Sequence, residues 1–255
     1  MLPDTQNKID NRQITINKVG IKDIRHPIIY LDNNGKKQPS IGNWQMTVSL
    51  KPEVKGTHMS RFIEILNQEN MEFSVASFEN ITKKVVTKLD ATTAEIIVNF
   101  PLFVNKTAPS SGVKSLLDYD ATLISKIKDG VITTTVKVVI AVTSLCPCSK
   151  SISKYGAHNQ RSHITIAAVT SGNLSFEDLI NIAEKEASCE LYAILKREDE
   201  KIVTERAYDN PAFVEDLVRD MAIALNNNSN ISSYVLESEN FESIHNHSAY
   251  ALIKG

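Results

Sequence analysis

The chain has 255 residues, 42% of them hydrophobic, with a formal net charge of -2 and an isoelectric point near 6.3. This near-neutral charge, without a long basic run, excludes a general binder of nucleic acids or anionic membranes. The N-terminus has no basic segment followed by an apolar run, and the longest apolar stretch, residues 136–142, is too short to cross a bilayer, so we expect a cytoplasmic protein.

The first half of the chain is predicted to contain four strands and two helices in the order ββααββ. The clearest signal is at Trp44, Met46, Val48 and Leu50, which alternate with polar residues at the period of a half-buried strand. Strands are predicted at residues 14–31, 44–50, 94–104 and 116–126, and helices at residues 57–66 and 78–89.

The second half is predicted to repeat this order. A long strand at residues 136–142 leads into a loop with two cysteines, and further strands are predicted at residues 164–169, 231–237 and 248–253. Ser175 is predicted to cap one helix, and Asn210 with Pro211 to start another. The charge run at residues 196–201 is predicted to be a solvated surface segment. The turn at residues 128–130 therefore divides the chain into two modules, 1–127 and 128–255.

The loop at residues 145–158, LCPCSKSISKYGAH, contains two of the three cysteines. Cys146 and Cys148 flank Pro147, which fixes its own φ and favours an extended conformation before it, so the two thiols are held apart. A disulfide between them would have poor geometry, and we expect both thiols to be reduced. Their polar surroundings favour a chemical role, whereas Cys189 lies among apolar residues and is predicted to be structural.

Two histidines near the C-terminus form a second candidate cluster. His245 and His247 alternate on a predicted extended segment, so they share a face, and Glu242 is close in sequence. They are candidates for metal ligands or for proton shuttles, and the sequence leaves both roles open.

The helix predicted after Pro211 carries two candidate acids. Glu215 and Asp220 fall on opposite borders of its apolar stripe, and periodicity does not choose between them. The stripe is formed by Phe213, Val214, Leu217, Val218, Met221, Ala222 and Leu225.

Sulfur, nitrogen and oxygen donors occur together in these clusters. Two thiolates, His158, the two late histidines and several carboxylates suit zinc and also admit manganese or iron. Their spacing is not that of a zinc finger. A catalytic site with an open position for water therefore fits better than a closed structural site.

Several long segments resemble one family. They are LCPCSKSISKYGAHNQRSH, LKREDEKIVTERAYDNPAFVEDLVRD and ESENFESIHNHSAYA, together with KGTHMSRF and LPDTQ in the first half. In these segments the chain resembles GTP cyclohydrolase of the prokaryotic type IB from near its first residue to its last.

The resemblance implies an α+β tunnelling fold of two ββααββ modules, with antiparallel sheets and helices on one face. It also implies a homotetramer with active sites at subunit interfaces, and the exposed sheet edge of each predicted module independently favours an oligomer. The implied reaction opens the imidazole ring of GTP by metal-activated water and releases carbon 8 as formate. Its other product is 7,8-dihydroneopterin triphosphate, the first intermediate of folate biosynthesis. Zinc or manganese is the implied metal.

The resemblance also implies roles for individual residues. The implied metal ligands are Cys146, His158 and Glu200, and Glu242 could join them. The implied general acids and bases are Cys148, Glu242, His245 and His247. Glu215 is implied as the guanine anchor, because one carboxylate can accept both adjacent N–H donors of the base. Cations available for the triphosphate are Lys150, Lys154, Arg161, Arg206, His58 and Arg61.

Two other functions remain open from the sequence. A nitrile reductase of the same fold would use a nucleophilic cysteine and NADPH, without a metal, but its characteristic motif is not visible in the chain. A non-catalytic metal-binding protein would use the cysteines and histidines only as structural ligands.

Overall fold

The computed structural model describes residue 6, residues 8–68 and residues 71–255. Residues 2–5 of the LPDTQ segment lie outside the described residues. Within the described chain the strands are β1 (Ile16–Leu31), β2 (Lys37–Leu50), β3 (Glu72–Phe73), β4 (Ala94–Thr107), β5 (Lys114–Lys128), β6 (Val131–Leu145), β7 (Asn159–Thr170), β8 (Cys189–Glu190), β9 (Ile231–Asn240) and β10 (Ala249–Lys254). The helices are α1 (Met59–Leu66), α2 (Glu79–Leu89), α3 (Pro147–Ile152), α4 (Phe176–Glu186), α5 (Arg197–Asp209) and α6 (Val214–Asn226).

The strands of the sheet follow the order β10-β9-β7-β6-β5-β4-β2-β1-β3, and β8 pairs with β6. The chain divides into two compact units: one comprises residues up to Pro101 and Thr122–Thr135, the other Leu102–Ala121 and Val136–Gly255. The long strands β4, β5 and β6 therefore contribute residues to both. The α+β class is confirmed. The module boundary between residues 127 and 128 stays a prediction.

The first unit packs α1 and α2 against strands with aromatic side chains. β2 pairs antiparallel with β1 and β4, and the two-residue strand β3, which the sequence analysis omits, runs parallel to β1. Trp44 is 1% exposed, and its ring centroid lies 5.7 Å from that of Phe73, which is 5.3 Å from that of Phe78. This buried aromatic cluster joins β2, β3 and the residue that precedes α2, in agreement with the apolar periodicity that predicts β2 and α2.

The second unit contains α3 to α6 and the antiparallel strands β7, β9 and β10. Ser175 caps α4 as predicted, because its hydroxyl accepts a hydrogen bond from the amide of Asp178, whose carboxylate accepts one from the Ser175 amide. The predicted apolar stripe of α6 is buried, except for the N-cap residue Phe213, which is 44% exposed; Ile223, on the other side of the helix, is 60% exposed.

The charge run at residues 196–201 is exposed as predicted, except for Asp199. Its residues 197–201 form the start of α5, whose early acids Glu198, Asp199 and Glu200 suit a helix N-terminus. One prediction for this unit is wrong. Asn210 does not start a helix: it follows the last residue of α5, and α6 begins at Val214. In a helix capped by Asn210, the amide of Ala212 or of the next residue would bond to the Asn210 side chain; here the Ala212 amide donates to the carbonyl of Leu145, a tertiary contact.

Among the residues that the structure describes, no helix is both long enough and apolar enough to span a membrane.

Candidate active site

The cysteine loop is held by a short helix and by backbone hydrogen bonds. β6 ends at Leu145, and Cys146 is the N-cap of α3, with Pro147 at the first helical position that proline favours. The Cys146 sulfur accepts a hydrogen bond from the amide of Ser149 at 3.5 Å. All three cysteines are free thiols; Cys146 is half-buried and Cys148 is exposed. The loop therefore presents one partly sheltered sulfur and one accessible sulfur.

His158 closes the other end of this loop next to Cys146. The amide of Cys146 donates to the carbonyl of His158 at 3.1 Å, and the amide of His158 donates to the hydroxyl of Ser149 at 3.2 Å. Nδ1 of the His158 ring lies 2.8 Å from Oε1 of Gln160 and 3.7 Å from Oε2 of Glu242. The structure thus brings together three of the predicted site residues: Cys146, His158 and Glu242.

The two late histidines lie in the connection between β9 and β10. Their segment is a turn and not the extended strand that the sequence predicts, because the amide of His245 donates back to the carbonyl of Glu242 at 3.3 Å. The rings of His245 and His247 nevertheless lie together, stacked with 5.0 Å between centroids and 17° between planes. Both residues are exposed. Two accessible imidazoles therefore lie in the turn that follows Glu242.

Glu215 lies in the first turn of α6, and Asp220 lies in the middle of the same helix; both are exposed. The hydrogen bond from Ala212 to Leu145 fixes the chain just before α6 to the end of β6, directly before Cys146. This contact places the N-terminus of α6, and so the backbone of Glu215, beside the cysteine loop.

Glu200 is exposed in the first turn of α5, next to the fully buried Asp199. Oδ1 of Asp199 accepts hydrogen bonds from the amides of Ser110 and Ser111 at 2.8 and 2.9 Å, and Oδ2 accepts from the Ser111 hydroxyl and the Lys196 amide. Burial opposes ionisation, but these hydrogen bonds outweigh it and hold the pKa of Asp199 well below its usual range. The sequence analysis assigns no role to Asp199, which anchors the helix that carries Glu200.

Two of the cations predicted to bind triphosphate already have partners. Arg206 donates to both carboxylate oxygens of Glu190 at 3.0 and 3.1 Å, and the Tyr192 hydroxyl also donates to Glu190. Burial raises the pKa of Glu190, but Tyr192 and Arg206 outweigh it, so this pKa lies below its usual range. The ammonium of Lys150 donates to the carbonyl of Tyr208 and lies 4.3 Å from the centroid of its ring.

The other four cations differ in their surroundings. Lys154 and Arg161 are exposed in the second unit. In the first unit His58 and Arg61 are half-buried, and Arg61 donates to the carbonyl of Lys88 at 3.2 Å. Among the candidate cations of the second unit, Lys154 and Arg161 are thus exposed, whereas Lys150 and Arg206 are half-buried.

Cys189 differs chemically from the two loop cysteines. It is 1% exposed, and burial together with the neighbouring Glu190 carboxylate raises the pKa of its thiol to about 11. The thiol is therefore protonated at neutral pH, which agrees with the structural role predicted for it.

A divalent metal would fit the donors at Cys146 and His158. The sulfur is partly sheltered, and the contact of Nδ1 with Gln160 leaves Nε2 as the ring nitrogen for coordination, the arrangement typical of histidine ligands. Within the described ranges no three His, Cys, Asp or Glu side chains are grouped closely enough to hold a metal ion. The assignment of Glu200 as a third ligand therefore stays a prediction.

The chain matches the family described as "Type I GTP cyclohydrolase folE2" over residues 2–251. It is 66% identical to the GTP cyclohydrolase FolE2 of Vesicomyosocius okutanii subsp. Calyptogena okutanii, over 99% of this chain and 97% of the relative. It is 64% identical to the GTP cyclohydrolase FolE2 of Ruthia magnifica subsp. Calyptogena magnifica, with the same coverage. The enzyme named GTP cyclohydrolase FolE2 2 from Dechloromonas aromatica is 59% identical over 99% of this chain and 94% of its own length.

Solved structures of urate oxidases share the fold. The enzyme from Bacillus sp. TB-90 superimposes with a TM-score of 0.55 and 9% sequence identity, covering 94% of this chain and 99% of the other. Uricase from Arthrobacter globiformis gives a TM-score of 0.50 with 8% identity, covering 94% and 92%. These similarities support the tunnelling fold and concern the fold alone. From the match over nearly its whole length, the chain belongs to the type I GTP cyclohydrolase folE2 family.

Proposed function

We propose that this chain hydrolyses GTP at the imidazole ring of guanine, releasing carbon 8 as formate and forming 7,8-dihydroneopterin triphosphate for folate biosynthesis. The observation that carries the reaction is the family match over residues 2–251, with relatives named GTP cyclohydrolase FolE2 at 66% and 64% identity. This match favours a cyclohydrolase over the nitrile reductase and over the non-catalytic metal-binding protein. Type IB is the subtype that we assign from the sequence motifs.

The proposed metal ligands are Cys146, His158 and Glu200, with zinc or manganese as the ion and iron as a third candidate. The backbone hydrogen bond from the Cys146 amide to the His158 carbonyl supports this assignment, because it holds a residue with a thiol next to a residue with an imidazole. The ion, when bound, supplies Lewis-acid activation of water for the attack on carbon 8 of guanine.

The proposed proton-transfer groups are Cys148, Glu242, His245 and His247. Ring opening needs protonation of a purine nitrogen, and the later ribose rearrangement needs further proton transfers. Cys148 is accessible on the first turn of α3, and the distance of 3.7 Å between Oε2 of Glu242 and Nδ1 of His158 supports a role for Glu242 in the same reaction. The stacked rings of His245 and His247 lie in the turn that follows Glu242, and the His245 amide donates to the Glu242 carbonyl. The two histidines are therefore linked to the acid that contacts His158.

Glu215 is the proposed anchor for the pairing edge of guanine. Its carboxylate can accept hydrogen bonds from two adjacent N–H groups of the base, and both would be charge-assisted. The attachment of Ala212 to Leu145 supports this role, since it places the start of α6 beside the cysteine loop. Lys154 and Arg161 are the proposed contacts to the triphosphate, because Lys150 and Arg206 already have partners in Tyr208 and Glu190.

The proposed assembly is a homotetramer with active sites at subunit interfaces. Among the described strands β10 pairs only with β9, so its outer backbone groups form an edge, and its Tyr250 and Leu252 side chains are 58% and 43% exposed. An edge with exposed apolar residues favours pairing with another chain. Light scattering after size-exclusion chromatography would give the mass; a stable monomer at micromolar concentration would contradict the tetramer.

The cytoplasmic location also stays a prediction.

The decisive experiment measures formate and pterin fluorescence after incubation of the purified protein with GTP. One sample keeps its metal, a second is treated with chelator, and a third is chelated and then supplied with zinc or manganese. We expect product in the first and third samples only. Full activity after complete removal of metal would overturn the metal assignment, and no product with any of these ions would overturn the proposed reaction.

A further inference from the structure

We propose that Gln160 is a positioning residue that holds His158 in the tautomer with the proton on Nδ1, so that Nε2 presents its lone pair to a metal ion. This inference rests on the proposed role of His158 as a metal ligand. The residue belongs to β7, which begins at Asn159, directly after the cysteine loop. Its side chain is directed at the imidazole and not at solvent, with 8% of the residue exposed.

A line of hydrogen bonds leads from His158 into the core. Oε1 of Gln160 lies 2.8 Å from Nδ1 of His158, and Nε2 of Gln160 donates to the hydroxyl of Ser144 at 3.0 Å. The hydroxyl of Ser144 lies 2.7 Å from that of Ser162. Both serines are fully buried. The amide of Gln160 is therefore held at both ends, by the ring on one side and by β6 and β7 on the other.

The position of Glu242 fixes the direction of this line. An amide can present either its oxygen or its NH₂ group to a histidine ring, and a serine hydroxyl can donate or accept. A carboxylate only accepts, and Oε2 of Glu242 lies 3.7 Å from the same Nδ1 atom that contacts Gln160. A proton on Nδ1 is attracted by both the Gln160 oxygen and the Glu242 carboxylate. A lone pair on Nδ1 would instead be repelled by the negative charge of the carboxylate. Gln160 consequently presents its oxygen, and its NH₂ group is directed to Ser144.

The burial of these groups argues that the arrangement has a function beyond packing. Burying an amide and two hydroxyls in the core is unfavourable unless each finds a partner, and apolar residues of similar size would avoid the cost. β7 otherwise buries Ile164, Ile166 and Ala168 on the same alternating positions that Gln160 and Ser162 occupy nearer the cysteine loop. The polar residues are thus confined to the part of the strand that supports His158.

The tautomer of His158 in metal-free protein tests the inference directly. Magic-angle-spinning NMR of protein labelled with ¹⁵N at histidine distinguishes protonated from unprotonated ring nitrogens, and the His158 signals are assigned from their loss in His158→Ala. At a pH where the ring is neutral, we expect the proton on Nδ1. A proton on Nε2 in the unaltered protein would overturn the proposal.

Variants at Gln160 provide the second test. Gln160→Met keeps the length of the side chain but removes the acceptor, and we expect a mixture of tautomers and a zinc affinity lower by about 10- to 100-fold. Gln160→Glu keeps an acceptor at Nδ1, so it should restore most of the Nδ1-protonated tautomer and most of the zinc affinity. If Gln160→Met does not fold, Ser144→Ala serves instead, because it removes the hydroxyl that holds the amide. Zinc affinity is measured by competition with a chromophoric chelator, independently of GTP turnover.

The matched control is Ser238→Ala. Ser238 is also a fully buried serine of the sheet, but its hydroxyl donates to Oδ1 of Asn240 at 3.1 Å and is not part of the line to His158. The control should leave the tautomer unchanged; an equal effect of Ser238→Ala, or an unchanged tautomer in Gln160→Met, would overturn the inference. Failure of the unaltered protein to bind zinc would refute the proposed metal site instead, while the tautomer measurement would still decide the role of Gln160.

Discussion

The amide of Cys146 donates a hydrogen bond to the carbonyl of His158, with 3.1 Å between nitrogen and oxygen. This bond joins the two ends of the cysteine loop and fixes the backbones of two proposed metal ligands relative to each other. Less backbone freedom then has to be lost on metal binding, which reduces the entropic cost of forming the site.

We expect Cys146→Ser to lose metal. Serine keeps the N-cap and the size of the side chain but replaces a thiolate with a weaker ligand. Zinc affinity should therefore fall by at least about 100-fold, more than for loss of a residue that only orients a ligand. Inductively coupled plasma analysis after dialysis would measure the bound zinc. Cys189→Ala, which removes a buried thiol outside the site, is the control and should retain it. Equal zinc in the Cys146→Ser protein would refute the ligand assignment.

We expect Cys148→Ala to reduce kcat by about 10²- to 10⁴-fold, the usual contribution of a general acid or base. Cys148 is exposed, so its removal should not disturb packing or the metal. Pterin fluorescence gives the rate, and metal analysis of the same sample gives the control. Activity equal to that of the unaltered protein would remove Cys148 from the mechanism.

Glu215→Ala and Asp220→Ala form a matched pair on one exposed helix. Loss of two charge-assisted hydrogen bonds to guanine, each contributing about 1.5–3 kcal/mol, should raise KM for GTP by at least about 100-fold in Glu215→Ala. Asp220→Ala should leave KM close to its original value. Steady-state kinetics would separate the two variants, and the reverse pattern would transfer the anchor to Asp220.

The three thiols should react with iodoacetamide at very different rates. Cys148 is exposed and should react first, while the Cys189 thiol is buried and its pKa of about 11 keeps it protonated at pH 8. We expect Cys189 to be labelled only after denaturation. Peptide mass spectrometry over time gives the three rates, and labelling of Cys189 as fast as Cys148 in native protein would show that its burial is wrong.

Asp199 should make stability depend on pH in the acid range. Because the folded pKa of Asp199 lies below its usual value of about 3.9, its stabilising contribution is complete above that pH and is lost as pH falls toward the folded pKa. Asp199→Asn should therefore lower Tm at pH 7, and the difference from the unaltered protein should shrink below about pH 4.

Differential scanning fluorimetry across this range measures the effect of Asp199→Asn. The control is Glu198→Gln, an exposed neighbour in the same helical turn. It should change Tm little at any pH. A difference for Asp199→Asn that stays constant down to pH 2 would contradict the linkage.

The eight longer strands and the helices α1, α2 and α4 could be predicted because their apolar residues repeat at a regular period and are buried; the two-residue strands β3 and β8 are too short to show a period. α5 could not, since only Asp199 and Ala207 of this helix are buried and the helix has almost no apolar stripe. The start of α6 was misplaced because Asn210 and Pro211 carry good helix-start signals locally. The hydrogen bond from Ala212 to Leu145 overrides them, and it joins residues far apart in sequence.

The candidate site shows the same division between local and distant information. The motifs identified Cys146, His158 and Glu242, which the structure brings together. Gln160 could not be recognised, because one buried polar residue in a strand has no periodic signature and its role depends on the direction of its side chain. The turn at His245 and His247 was mistaken for a strand because alternating residues look alike in both until a backbone hydrogen bond is known.

The attachment of Asp199 to Ser110 and Ser111 has a practical consequence for protein engineering. The tip of the β4–β5 hairpin is hydrogen-bonded to the helix that carries Glu200. An epitope inserted between Ser110 and Ser111 would break these hydrogen bonds and could displace Glu200, a proposed metal ligand. The turn at Asn33 and Asn34 is exposed, and its hydrogen bonds close within the turn itself. Labels or affinity tags should therefore be inserted at this turn, where they leave the hydrogen bonds of the proposed active site intact.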